Sequence, residues 1–175
     1  MGMPTLIIVT GPAGSGKTTL AHQLSAMVGC PALCRDEIKE GMVASNPGFV
    51  AATSDPLTVR TYDLFFKAIA LFLKAEVTLV AEAAFQHALW CRGLEPLTGL
   101  ADLKILRCSV PDTIARQRVL ARQTDLATRA AHADADYLMR TPPFDAIHAD
   151  APTLDVDTSD AYRPGLDAVA AFCRG

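Results

Sequence analysis

Of the 175 residues only five are cysteine, at positions 30, 34, 91, 108 and 173. The number is odd and no C-x-x-C pair occurs. That excludes a small disulfide scaffold and reads as reduced thiols, buried or incidental, in a cytoplasmic protein. Cys30 and Cys34 are spaced like half a metal site, but no later His/Cys pair completes it. The chain also has no excess of basic charge: its formal net charge is −3, which argues against a nucleic-acid partner. It has no long apolar run. The most apolar stretch, residues 68–85, is interrupted by Lys74, Glu76 and Glu82, whereas a membrane span needs roughly 18 uninterrupted apolar residues. The start carries no basic region followed by an apolar leader, so nothing points to export. Repeats, low-complexity blocks and linkers are lacking too. What is there is ordinary globular composition, 50% hydrophobic and 20% charged, enough apolar surface to offset the entropy of ordering. The length predicts one domain over residues 1–175.

Strands alternate with helices along the sequence. Residues 5–10 (TLIIVT) form a β-branched run that reads as a strand buried on both faces. Leu20, Leu24, Met27 and Val28 have helical spacing, predicting a helix over 17–28 that stops at Gly29. A short second strand is predicted at 32–34 and a helix from Asp36 to about Val43. Residues 44–56, rich in Gly, Pro and Ser, read as a loop long enough to cover a ligand. A helix over 57–74, a third strand over 77–81, a helix over 87–97, a fourth strand over 103–110, a fifth over 154–156 and a closing helix over 163–173 complete the pattern. This alternation is the signature of a mostly parallel sheet covered on both faces, an α/β fold. Charge is unevenly spread. Residues 107–129 are rich in arginine, and residues 133–160 are rich in aspartate.

Residues 11–18 (GPAGSGKT) match G-x-x-x-x-G-K-[ST] between a predicted strand and a predicted helix. The chemistry is specific. Glycines permit close backbone approach, so successive N–H groups wrap a polyphosphate, and the helix that follows adds the positive end of its dipole. Gly11, Ala13, Gly14, Ser15, Gly16, Lys17, Thr18 and Thr19 are therefore the candidate nucleotide-binding residues. Lys17 reaches the β and γ oxygens, and the Thr18 hydroxyl serves Mg²⁺.

This motif resembles that of the P-loop NTPase superfamily. The D-x-x-G and N-K-x-D marks of GTPases, the LSGGQ of ABC proteins and the D-G-[FY]-P-R of adenylate kinases are missing, which leaves the compact kinase branch. Within it the chain resembles a group that includes the 5′-kinase domain of polynucleotide kinase, zeta-toxin-like kinases and chloramphenicol phosphotransferase. The resemblance rests on the loop followed by Thr-Leu-Ala, on Asp36-Glu37-Ile38-Lys39 after strand two, on Glu82 after strand three, and on the pair Arg118 and Arg122. It implies a three-layer α/β/α domain with five strands in the order 2-3-1-4-5, and a short helical lid at about 115–135. It implies ATP and Mg²⁺ as cofactors and a small hydroxyl-bearing acceptor.

Roles for the remaining residues follow in part from that resemblance. Glu82, at a strand's carboxyl end where ligands of parallel sheets sit, is the candidate partner of Thr18 for Mg²⁺; otherwise it is a helix cap or a solvated strand-end acid. Asp36 either accepts the acceptor's proton or caps its helix. Arg118 and Arg122, four apart and so on one helix face, are candidates to stabilise charge on the γ-phosphate, Arg122 also as a nucleotide ligand; the alternative is a solvated charged face. Arg129 falls on the same side if the helix continues, and His132 reads as a surface residue. Lys39 and Gln86 are candidate acceptor contacts, whereas Trp90 reads as core. Lys39 stands where polynucleotide kinases typically carry arginine and lacks the bidentate fork that suits a 3′-phosphate. The leading expectation is an ATP-dependent phosphotransferase. A polynucleotide 5′-hydroxyl kinase and a nucleotide-binding switch or NTPase without transfer are the alternatives.

Overall fold

The apolar runs of the sequence become strands whose two faces feed two separate cores. The computed structural model describes residues 2–52, 55–122 and 143–175. In chain order these contain β1 (Thr5–Thr10), α1 (Lys17–Val28), β2 (Ala32–Cys34), α2 (Arg35–Ala44), α3 (Pro56–Lys74), β3 (Leu79–Glu82), α4 (His87–Leu94), a 3₁₀ turn (Glu95–Leu97), β4 (Asp102–Ser109), α5 (Asp112–Arg122), β5 (Thr153–Asp157) and α6 (Leu166–Arg174). The strands form one parallel sheet in the order β2-β3-β1-β4-β5, as the resemblance implied.

Side chains alternate across a strand, and here both sides are apolar. Leu6 and Ile8 of β1, Leu79 and Ala81 of β3 and Ile105 of β4 pack against Phe65, Ile69 and Leu73 of α3 and Trp90 of α4. Ile7 and Val9, Val80 and Leu106 face the other way, onto Leu20 and Leu24 of α1 and Val169 of α6. On the first side Phe65, Phe66, Phe85 and Trp90 meet mostly edge to face, with ring centroids 5.2–5.9 Å apart. Trp90 is fully buried, as expected of a core residue, and its indole N–H donates to Thr10 Oγ1 at 3.2 Å. No helix among the described residues is long and apolar enough to cross a membrane.

Most elements agree with the sequence expectation to within one residue at each end; three depart further, each for a local reason. β3 starts at Leu79 instead of residue 77, because Val77 N–H is taken by Phe72 carbonyl and Glu76 N–H by Leu73 carbonyl. With Glu76 at φ 58°, these bonds make a Schellman termination of α3. The predicted helix over 87–97 tightens into a 3₁₀ turn at Glu95, where Pro96 supplies no N–H to continue it. The closing helix begins at Leu166 rather than at residue 163, because Arg163 pairs with Asp157 through both backbone groups and Gly165 is the N-cap. The uneven charge of the sequence is partly resolved by register. Arg107 and Asp155 are partners across β4 and β5, and the guanidinium donates to both carboxylate oxygens at 2.7 and 2.9 Å.

One buried ion pair ties the 44–56 region to α2. Asp55 is the N-cap of α3 and accepts from Thr58 N–H at 2.8 Å. It also receives Lys39 Nζ at 2.7 Å, and both side chains are about 95% buried. Burial pushes the Asp55 carboxyl up, but the Lys39 ammonium and the Thr58 and Ala52 N–H groups outweigh it and hold the pKa at about 2. The folded value lies below the unfolded one, so the stabilisation is complete above about pH 4 and is lost as pH falls through about 2. The shift corresponds to about 2 kcal/mol. Asp55→Asn should cost roughly 3–5 kcal/mol at pH 7, because it leaves a buried ammonium without a counter-charge. In urea titrations the gap between variant and wild type should narrow by about 2 kcal/mol between pH 4 and pH 2. A pH-independent gap would contradict this assignment.

Candidate active site

The loop between β1 and α1 is pressed against β4, the strand beside β1, and against α5. Gly11 has φ 152°, and a Cβ there would lie 2.5 Å from the Cys108 carbonyl oxygen of β4. Gly14 has φ 77°, and a Cβ there would lie 2.4 Å from the Ala115 carbonyl oxygen of α5. Both positions therefore demand glycine twice over, by conformation and by contact. The loop is also held from the end of β5. The Thr158 hydroxyl, buried, lies 2.6 Å from the Ser15 carbonyl oxygen and 3.2 Å from that of Ser109. Ser15 Oγ is itself buried without a hydrogen-bond partner, a polar atom left over inside a cradle shaped for an anion.

Lys17 opens α1 and is 7% exposed. Its ammonium donates to the Pro12 carbonyl at 3.0 Å and stands 3.9 Å from Glu82 Oε1. The Thr18 hydroxyl donates to Glu82 Oε2 at 3.2 Å. Glu82 is the last residue of β3, aligned with Val9 on one side and Cys34 on the other, and is 2% exposed. Burial raises its pKa. The Lys17 charge and the Thr18 hydrogen bond oppose that rise, and the Asp36 and Glu37 charges add to it. Glu82 is thus neither a cap nor a solvated acid: N-cap of the next helix is Gln86. Thr18 and Glu82 present hard oxygen donors, the kind Mg²⁺ takes.

Asp36 lies in the first turn of α2, one residue past its start, and the N-cap is Cys34 with an extended backbone. Asp36 therefore does not occupy the capping position. Its side chain is about half exposed, and Arg35 Nη1 donates to its Oδ1 at 2.7 Å. The Arg35 guanidinium carbon lies 4.9 Å from the centroid of the Tyr62 ring, a cation–π distance. Asp36 is close enough for its charge to push up both Glu82 and the Cys34 thiol.

Other candidates are directed elsewhere. Lys39, expected at the acceptor, is buried against Asp55. Gln86 is exposed, and its Oε1 accepts from Asp145 N–H at 2.6 Å, which ties the segment after residue 143 to α4. Arg118, expected on phosphate, donates through Nη2 to the Thr158 and Ser159 carbonyls at 2.7 Å each, with Nη1 3.4 Å from the Gly14 carbonyl. It is a strut behind the loop. Arg122 ends α5, exposed, one turn further on. Thr19 is exposed in the first turn of α1, and Ala13 and Gly16 lie within the loop, Gly16 as N-cap of α1. Arg129, His132 and the rest of the lid to residue 135 lie outside the described residues. Sequence reasoning missed Arg35 and Thr158. Thr158 had a signal: Asp157 Oδ1 accepts from the Ser159 N–H and hydroxyl, the Asp-x-Ser turn that D-T-S after a strand announces.

A family model described as an AAA domain matches residues 6–142, more than half of the chain. No curated protein matches the sequence. Among solved structures, a candidate kinase from Chloroflexus aurantiacus J-10-fl has TM-score 0.85 and 24% identity, with 99% of this chain and 98% of that one covered. An APS kinase from Mycobacterium tuberculosis, in complex with AMPPNP and APS, has TM-score 0.63 and 16% identity over 98% of each chain. A gluconokinase from Sinorhizobium meliloti 1021 has TM-score 0.61 and 15% identity over 99% of this chain and 94% of its own. At these identities the likeness is one of fold.

The contact at Gly14 gives a direct test of the loop. Gly14→Ala puts an L side chain at positive φ, costing about 1–2 kcal/mol, and drives its Cβ into α5. The expected result is a lower Tm and at least a tenfold weaker apparent affinity for Mg·ATP in a fluorescent-nucleotide displacement assay. Unchanged values in both would show that loop and α5 do not meet as described.

Proposed function

The chain belongs to this AAA-domain family, in the small-kinase branch of the P-loop NTPases, and from that premise we propose that it transfers the γ-phosphate of ATP to a hydroxyl of a small-molecule acceptor. One observation carries the reading. A buried carboxylate, Glu82, meets the Lys17 ammonium and the Thr18 hydroxyl at the strand ends, and Asp36 stands near enough to act on it electrostatically. In this reading residues 1–175 work as one domain with a lid at about 115–135.

The Mg²⁺ that accompanies the nucleotide in this family fits Thr18 and Glu82, whose oxygens converge within 3.2 Å. Bound there, it would supply positive charge that lowers the charge on the phosphate oxygens. The loop amides and Ser15 hydroxyl hold the polyphosphate, and Lys17 turns from the Pro12 carbonyl to the γ-phosphate. Lys17 is buried, and an ammonium in such a setting acts more strongly than one in water. Arg118 keeps the loop shaped from behind. Arg122, one turn on, supplies the lid cation.

Asp36 removes the proton of the acceptor hydroxyl as its oxygen bonds to the γ-phosphorus. The bond to the β,γ-bridging oxygen breaks, and ADP leaves. Arg35 fixes one oxygen of the Asp36 carboxylate, so the base is oriented before the acceptor arrives. Tyr62, beneath Arg35, steadies that arrangement. Pairing of Lys39 with Asp55 favours a small acceptor over a polynucleotide, because it withdraws the cation that a 3′-phosphate would need.

An ATP-consumption screen across nucleosides, sugars, antibiotics and 5′-hydroxyl oligonucleotides tests the reading. Lys17→Ala should abolish turnover of ATP. Asp36→Asn should bind ATP within a few-fold of wild type and lower transfer by ~10²–10⁴, the usual contribution of a general base. Equal loss of binding and transfer in Asp36→Asn would make this residue structural. Hydrolysis independent of any acceptor, and unchanged in Asp36→Asn, would favour an NTPase without transfer.

A further inference from the structure

Behind the Mg²⁺ candidates the chain gathers a second set of donors, of different chemistry. His22, Cys34 and Glu37 come from α1, the end of β2 and the first turn of α2, and one ligand atom from each lies within 4.8 Å of the others. His22 Nε2 is 3.8 Å from Cys34 Sγ and 2.6 Å from Glu37 Oε1. Cys34 is buried, whereas the side chains of His22 and Glu37 are about half exposed. The cleft is thus closed on the sulfur side and open to water on the other. His22 follows Thr18 by four residues, so both lie on one face of α1.

We propose that His22, Cys34 and Glu37 bind a zinc-class divalent transition-metal ion, distinct from the Mg²⁺ of the nucleotide site. Around such an ion, bonds of about 2.3 Å to sulfur and about 2.0 Å to nitrogen and oxygen, at tetrahedral angles, set S and N about 3.6 Å apart and N and O about 3.3 Å apart. The sulfur and the imidazole, 3.8 Å apart, stand within about 0.2 Å of that separation. Only the Glu37 carboxylate has to withdraw, by about 0.7 Å, and its half-exposed side chain has room to do so. Three protein ligands leave one position for water, the pattern of an open zinc site.

Burial raises the Cys34 thiol, and the Glu82, Glu37 and Asp36 charges add to that rise; a divalent ion on the sulfur offsets those charges. Softness separates the two metals. Thiolate and imidazole select zinc-class ions, and the hard oxygens of Thr18 and Glu82 select Mg²⁺. As the sulfur–metal bond forms, the Cys34 thiol gives its proton to the buffer. The bound ion fastens the loop's helix α1 to the turn that carries Asp36.

Sequence spacing hid this site. Cys30, four residues before Cys34, is not one of the ligands, and the histidine lies upstream on another element.

Co²⁺ substituted for zinc reports thiolate ligation by a near-ultraviolet sulfur-to-metal charge-transfer band. Titration of the full chain, with millimolar Mg²⁺ present and a reductant that does not bind metal, should give that band at one Co²⁺ per chain, and Zn²⁺ should displace it. Zn²⁺ should also raise Tm by several degrees. His22→Ala and Glu37→Gln, both at half-exposed positions that tolerate change, should weaken Co²⁺ binding at least tenfold, and Cys34→Ser should remove the band. Cys91→Ser is the control for the exposed thiol beside His87, and should keep it. Absence of the band in wild type, its persistence at full affinity in His22→Ala, or its loss in Cys91→Ser would each overturn the proposal, whatever the enzyme does with ATP.

Discussion

The structure turns on a carboxylate that has been taken out of water. Glu82 is 2% exposed, and an ionised group so placed is tolerable only beside an opposite charge and a hydrogen-bond donor. Lys17 and Thr18 supply these, and they belong to the helix that follows β1. Their meeting is enforced by register: Glu82 sits opposite Val9 in the parallel pairing of β1 with β3. A shift of one residue along β3 would turn Glu82 into one of the apolar layers and undo the sheet's double-sided core. Sheet order, loop position and the electrostatics of the site are therefore one constraint seen at three scales. The order β2-β3-β1 also puts the end of β2, and with it Asp36, on the far side of Glu82 from the loop.

The rest of the molecule holds the loop in place from behind. Gly11 lies on β4, Gly14 on α5, and the Ser15 carbonyl on Thr158. Arg118, on α5, ties the loop to the segment after β5 through the Gly14, Thr158 and Ser159 carbonyls. An anion cradle made of main-chain N–H groups has no side chains of its own to steady it, so its shape has to come from such neighbours. The same logic explains the use of charge elsewhere. Lys39 and Asp55 hold α2 to α3, Arg107 and Asp155 hold β4 to β5, and Gln86 holds the segment after residue 143. Lys39 and Arg118, which the resemblance offers as ligand contacts, are occupied in fixing the frame.

That difference marks where the sequence is legible. β1, the loop, α1 and β2 are readable to the residue, because their signals are local: a β-branched run, glycines at set spacing, and Gly29 as a stop. Glu82 is readable because strand ends in a parallel sheet have a known use. Lys39 and Gln86 are not, because their partners, Asp55 and Asp145, lie 16 and 59 residues away, and nothing local distinguishes a lysine that pairs inward from one that faces a ligand. The starts of β3 and α6 depend on who claims a particular N–H, which is a tertiary outcome. Arg35 is invisible for the same reason: its value comes from Tyr62 and Asp36 closing around it.

In the proposed function the amides of the loop, Lys17 and the Thr18–Glu82 pair together grip the phosphates of a nucleotide. Isothermal titration of the protein with ATP, with and without Mg²⁺, tests it most directly. A saturable heat at one site per chain, strengthened by Mg²⁺ and competed by ADP, is the expected result. A flat titration with both nucleotides, or binding indifferent to Mg²⁺, would contradict it.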